Sequence, residues 1–207
     1  FMMPMGQYNI GKYVNSLLKD IGFVREKELN DESVREIILR TIGGNPRSIK
    51  RLVNSVSLIQ IFVKNKREFD DNAHDTGSGE GVITADEEKF LLFALLCLQI
   101  AYPDIYSLLL EQPDFTKWDD EFAFAQTNRS EERMGDGDRL NNDEMKTIFY
   151  DEFEIAKQSN DFDEVWEQAI YRICYARPRL KSRVADISKF FSHIKDELIG
   201  EENREII

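Results

Sequence analysis

Apolar residues recur every three or four positions along almost the whole chain. Ile10, Val14, Leu17, Leu18 and Ile21 mark a first amphipathic helix, and Gly22 is placed to stop it. Val34, Ile37, Ile38 and Ile42 mark a second over residues 31–42, with Asn30 or Asp31 as its cap and Gly43-Gly44 as its end. A third begins at Asn45, a favoured N-cap residue. Pro46 follows at the first helical position, where its missing N–H leaves no bond unmade. Its stripe is Ile49, Leu52, Val53, Val56, Ile59 and Phe62 or Val63, and the spacing carries it to about Lys66.

The periodicity fails between residues 67 and 83, where Asp70-Asp71-Asn72 and Gly77-Ser78-Gly79-Glu80-Gly81 read as a flexible acidic, Gly-rich linker. A cation-binding loop is the alternative there, but the Asp and Gly spacing is not that of an EF-hand. Thr84-Ala85-Asp86-Glu87 then forms a capping box ahead of the most apolar run, Phe90 to Tyr102. Pro103 starts a helix to Glu111, with Ile105, Leu108 and Leu109 facing inward. A short helix is expected over 118–128, with Trp118, Phe122 and Phe124, and a loop or short helical turn over 128–142. Further helices are expected over 143–156, 161–176 and about 179–199, and a frayed tail over 201–207. No stretch alternates with the β-strand period. The fold class expected is all-α, a multi-helix bundle of eight to ten helices. A small N-terminal helical lid spans 1–66 and a larger C-terminal helical domain spans 84–207.

Composition narrows the chemistry. The 207 residues hold 27 Lys and Arg against 39 Asp and Glu, a net charge of −12. That balance argues against broad nucleic-acid binding, which needs a basic footprint. Cys97 and Cys174 lie far apart in apolar stretches and read as buried reduced thiols. His74 and His193 are isolated, so no Cys/His zinc cluster is expected. The run from Phe90 to Tyr102 would span about 20 Å as a helix, short of the roughly 30 Å hydrocarbon core. The opening Phe1-Met2-Met3-Pro4-Met5-Gly6 lacks a basic leader. These features point to a cytoplasmic protein without a membrane segment. The start on Phe1 also suggests a domain cut from a longer polypeptide.

Catalytic signatures are missing. No GxxxxGK[ST], GxSxG, HExxH or GxGxxG string occurs. The carboxylate pairs Asp119-Asp120, Glu131-Glu132, Asp151-Glu152 and Glu201-Glu202 read as solvated helix faces, and no self-contained catalytic site emerges.

One string stands apart: Ile42-Gly43-Gly44-Asn45-Pro46-Arg47-Ser48-Ile49-Lys50-Arg51-Leu52-Val53-Asn54. Arg47, Lys50 and Arg51 place three cations in the first turns of a helix, where the macrodipole disfavours them. Arg47 and Arg51, four apart, share a face, and Lys50 adjoins it. Such cations call either for an external anion or for ion pairs with the chain's own acids.

The GNPR-x-IKR-x-x-N string resembles the sensor-2 region of KAP-family P-loop NTPases, relatives of the AAA+ and STAND ATPases. The resemblance covers residues 1–66 and 84–112, including Phe1-Met2-Met3-Pro4, Tyr8-Asn9-Ile10 and Tyr102-Pro103-Asp104-Ile105-Tyr106. It implies that Arg47 matches the arginine that reaches from a helical lid toward the γ-phosphate of ATP. Lys50 and Arg51 become further phosphate contacts or partners of core acids. It also implies an upstream P-loop core that holds ATP with Mg2+, because this chain lacks the family's phosphate loop and Walker B motif. The isolated chain would then be a non-catalytic part of an ATPase and would carry no cofactor of its own.

Two other readings remain open at this stage. One is a stand-alone helical adaptor for protein–protein interaction, or an oligomer formed through the C-terminal helices. The other is a local nucleic-acid face built from Lys50 and Arg51, or from Arg177, Arg179, Lys181 and Arg183.

Overall fold

The computed structural model describes residues 10–24, 29–70, 86–132, 139–160 and 162–202, without the side chains of 63–70, 86–88, 128–132, 139–146 and 197–202. Among the described residues the chain is entirely helical. In order run α1 (Ile10–Asp20), α2 (Asp31–Arg40), α3 (Pro46–Asp70), α4 (Asp86–Ala101) and α5 (Pro103–Glu111). After a 3₁₀ turn at Phe115–Lys117 come α6 (Asp120–Glu132), α7 (Arg139–Ser159), α8 (Val165–Tyr175), α9 (Pro178–Lys181) and α10 (Val184–Glu202). The all-α bundle expected from the periodicity is what the backbone adopts. The Phe1–Pro4 segment, the Thr84 cap, His74 and nearly all of the 67–83 linker lie outside the described residues.

Two compact units divide the chain: Phe1–Tyr106 with Ser192–Ile207, and Ser107–Phe191. In the first, α1 packs on α2 and α3, and α4 packs on α2 and α3. Ile10, Val14, Leu18, Val34, Ile37, Ile38, Ile49, Leu52, Val56, Phe93 and Leu98 form its core. In the second, α8 packs on α6, α7, α9 and the 3₁₀ turn. Phe115, Trp118, Trp166 and Phe191 form its aromatic centre, with Phe115 and Phe191 centroids 4.8 Å apart. The Trp118 indole N–H donates to the Gln112 carbonyl at 3.0 Å, so that ring is buried without an unmade bond.

Several boundaries differ from the sequence reading, among them the start of α8, at Val165 where 161 was expected. The third helix continues to Asp70 instead of ending near Lys66. Of the stretch 128–142, expected as a loop or a short helical turn, the described residues 128–132 and 139–142 are helical and belong to α6 and α7. Arg, Glu and Leu residues in these two described pieces have good helix propensity. The expected last helix is broken into α9 and α10 by a turn in which the Arg183 N–H donates to the Leu180 carbonyl at 2.8 Å. Leu180, Val184 and Ile187 are all buried across that break.

Chain reversals are set by local chemistry. At the end of α1, Gly22 takes φ 74°, the Gly22 N–H donates to the Lys19 carbonyl and the Phe23 N–H to the Leu18 carbonyl. This is a Schellman closure, with Leu18 and Phe23 both buried beside it. Asn15, on the buried face of α1, donates from Nδ2 to the Leu29 carbonyl at 3.1 Å and to Asp31 Oδ1 at 2.7 Å. One buried amide thus fixes where the chain re-enters as α2. Gly11, one turn earlier, leaves no room between the helices: a Cβ there would sit 2.3 Å from the Asp31 carbonyl oxygen. Replacing Asn15 by Ala strips the Leu29 carbonyl of its donor. A loss of about 1–3 kcal/mol is expected in a urea titration, against less than about 0.5 kcal/mol for Tyr13→Ala on the exposed side of α1.

Candidate functional site

The start of α3 is built by the end of α2. The Ile38 carbonyl accepts the N–H of Gly43, which takes φ 60°, and the Thr41 hydroxyl donates to the Ile37 carbonyl. The Tyr102 hydroxyl donates to the Arg40 carbonyl at 2.9 Å, meeting an acceptor that the helix end would otherwise leave open. The turn from Thr41 to Gly44 is therefore held at its base. Asn45 then caps α3, its Oδ1 accepting the Arg47 N–H at 3.0 Å and its carbonyl accepting the Ile49 N–H at 3.0 Å. Pro46 is the first helical residue. The cap expected from the sequence is the cap observed.

Ile49, Leu52 and Val56 of α3 are buried, and the opposite face is open. Arg47, Lys50, Arg51 and Asn54 are all exposed on it. The first turn of α3 holds no acid. No carboxylate among the described residues forms an ion pair with Arg47, Lys50 or Arg51. The structure thus brings the three cations singled out in the sequence together on one solvent-facing patch, with no ion-pair partner among the described residues.

The second basic group is different. Lys181 pairs with Glu152 and lies over the rings of Phe149 and Tyr175. Arg183 pairs with Asp186 at 3.4 Å. Arg177 is half-buried and Arg179 exposed. Two of those four charges are balanced internally, so the group does not present a uniform cationic face. Arg172, which the sequence reading did not single out, pairs with Asp120 at 3.4 Å. Its guanidinium lies 5.4 Å from the centroid of Phe124.

Sequence reasoning missed one part of the α3 face. Phe62 was expected inward as one of two choices, but it is 72% exposed, with Leu58 at 57% and Ile61 at 54%. The signal was available. Positions 58, 61 and 62 stand half a turn away from the 49, 52, 56 stripe, on the side of Arg47.

Other chemistry is sparse. Half-buried His193 stands edge-on to Phe90 with centroids 6.1 Å apart. No group of three His, Cys, Asp or Glu able to hold a metal occurs among the described residues. No helix among them is long and apolar enough to cross a membrane. Cys97 and Cys174 are both buried free thiols. Burial pushes the Cys97 thiol strongly upward, only partly offset by a bond with Thr41, and pushes Cys174 up to about 12 against a smaller lowering by Arg177.

Comparison of the chain with protein-family models, curated proteins and solved structures yields no match.

Two measurements follow. The thiols hold their proton in the folded state above the ordinary value of 9.0. Their contribution to stability is complete below that pH and is lost as pH rises from about 9 toward 12 and beyond. Denaturation midpoints should fall over that window, and a disulfide reagent at pH 8 should label neither thiol until urea is added. The cations of α3 oppose the helix dipole, so Arg47→Glu should leave stability unchanged or raise it by about 0.3–1 kcal/mol in the same titration. A marked loss would reveal an internal partner.

Proposed function

We propose that this chain is the C-terminal lid and helical region of a larger P-loop ATPase, with Arg47 reading the γ-phosphate and the remaining helices coupling nucleotide state to a partner. The observation that carries the reading is the exposed, capped start of α3, where Arg47, Lys50 and Arg51 have no carboxylate partner among the described residues. A planar guanidinium suits two phosphate oxygens at once, and Lys50 and Arg51 add charge beside it. Asn45 and Pro46 fix the first turn, so Arg47 is presented from a rigid base.

The described residues fit one wall of a phosphate site and no more. The sequence offers no phosphate loop, so binding of ATP, with its Mg2+, falls to an upstream core of the same polypeptide. ATP bound there supplies the negative charge that builds up on the γ-phosphoryl group during transfer. This chain's part is positional: Arg47 stabilises that charge when α3 is close, and its loss of contact lets the lid swing away. Such a protein would work in the cytoplasm.

A helical adaptor is the second reading, favoured by Leu58, Ile61 and Phe62 on the same open face. Kinetics of the full-length polypeptide separate the two. For a sensor, Arg47→Ala lowers ATP turnover by about tenfold or more while nucleotide affinity changes little. Equal losses in both, or no ATP turnover in the parent protein, would overturn the sensor role.

A further inference from the structure

The outward face of α3 is longer than a phosphate contact requires. At 100° per residue, Arg47, Lys50, Arg51, Asn54, Leu58, Ile61 and Phe62 fall within an arc of about 120°. All of them are exposed. Leu58 and Phe62 lie about 16 and 22 Å along the axis from Arg47. The face therefore has a cationic end, a polar Asn54 between, and an apolar end carrying three large side chains.

We propose that this face docks an amphipathic helix of a partner protein. The partner's carboxylates meet Arg47, Lys50 and Arg51, and its apolar stripe covers Leu58, Ile61 and Phe62. Charge complementarity selects that occupant. The patch has no acid partner among the described residues, and an acidic segment is its electrostatic complement. Anionic lipid and nucleic acid carry negative charge over an area much wider than the patch and so meet the repulsion of the acidic remainder of the chain, whereas a short acidic segment meets the patch alone. A small free anion needs no apolar stripe. An amphipathic helix uses both halves, and its anchors would sit at the i, i+3, i+4 spacing that Leu58, Ile61 and Phe62 themselves show. The antiparallel direction is favoured: it puts the negative C-terminal end of the partner helix beside the three cations. This inference rests on the adaptor reading and makes its partner specific; a partner carboxylate on Arg47 takes the place of a phosphate there, so peptide binding tests this proposal and ATP turnover tests the sensor role.

The test uses the full-length polypeptide and three synthetic fluorescein-labelled peptides of about twenty residues. The first carries a Leu/Ile stripe in its N-terminal half and Glu on the same face of its last two turns. The second replaces the Glu by Lys, and the third replaces the apolar stripe by Ser. Anisotropy titrations should show the first binding about tenfold or more tighter than either other, and weakening as salt rises. Ile61→Ser with Phe62→Ser, and separately Arg47→Glu with Lys50→Glu and Arg51→Glu, should each weaken the first peptide about tenfold, with helical circular dichroism unchanged. Equal binding of the acidic and Lys peptides would overturn the proposal, as would indifference to both sets of substitutions. So would sedimentation showing that the Ile61/Phe62 pair is instead used for self-association, or selective binding of vesicles rich in phosphatidylserine.

Discussion

A helix allows one angular position per residue, and that constraint governs α3. Once Ile49, Leu52 and Val56 are committed to the core, positions 47, 50, 51, 54, 58, 61 and 62 have to face the other way. Burying the apolar stripe displays the cations and the second apolar group together, with no further interaction needed. The arrangement is as secure as the burial of those three side chains in the helix that packs on α1 and α4.

Rotation about the helix axis settles which residues face out, while the preceding turn settles where the face begins. That turn rests on closures made by distant residues. Asn15 on α1 fixes the entry of α2 through the Leu29 carbonyl and Asp31. Tyr102, just beyond α4, ties down the Arg40 carbonyl at its exit. The start of α3 is therefore positioned by three other helices, although none of their side chains belongs to the charged patch. Cys97, buried on α4, belongs to the same support, and its burial raises the thiol pKa against a smaller lowering by Thr41 at the turn.

Local chemistry was legible in the sequence, and long-range choices were not. Asn45 and Pro46 act within their own turn, so their roles as cap and first helical residue could be read directly. The same holds for Gly22, whose positive φ closes α1. Phe62 shows the opposite case. A large aromatic near the end of an amphipathic run is ordinarily a core residue, and only its angular offset from Leu52 and Val56 places it outside. The grouping of α4 with α2 and α3 was likewise invisible to a linear reading, because an intervening acidic, Gly-rich stretch resembles a domain boundary whatever the helices beyond it pack against. For the candidate site, the sequence supplied the residues. The coordinates added the absence of described acid partners and the apolar extension.

The position of the three α3 cations, more than the absence of a partner, gives the patch its weight. In a chain with 39 acids and 27 strong bases, some described cations pair with a carboxylate and others, Arg179 among them, do not. Arg35, Arg40, Arg172, Lys181 and Arg183 are among those that pair. Arg47, Lys50 and Arg51 sit where the helix dipole already disfavours positive charge, on a turn without an acid, and none has a partner among the described residues. Folding alone gives no reason to concentrate three bases there, since neutral or acidic residues would suit the cap better. A stability deficit accepted at a rigidly held, solvent-facing helix start is the pattern expected of a binding surface, where the compensating charge arrives with the ligand.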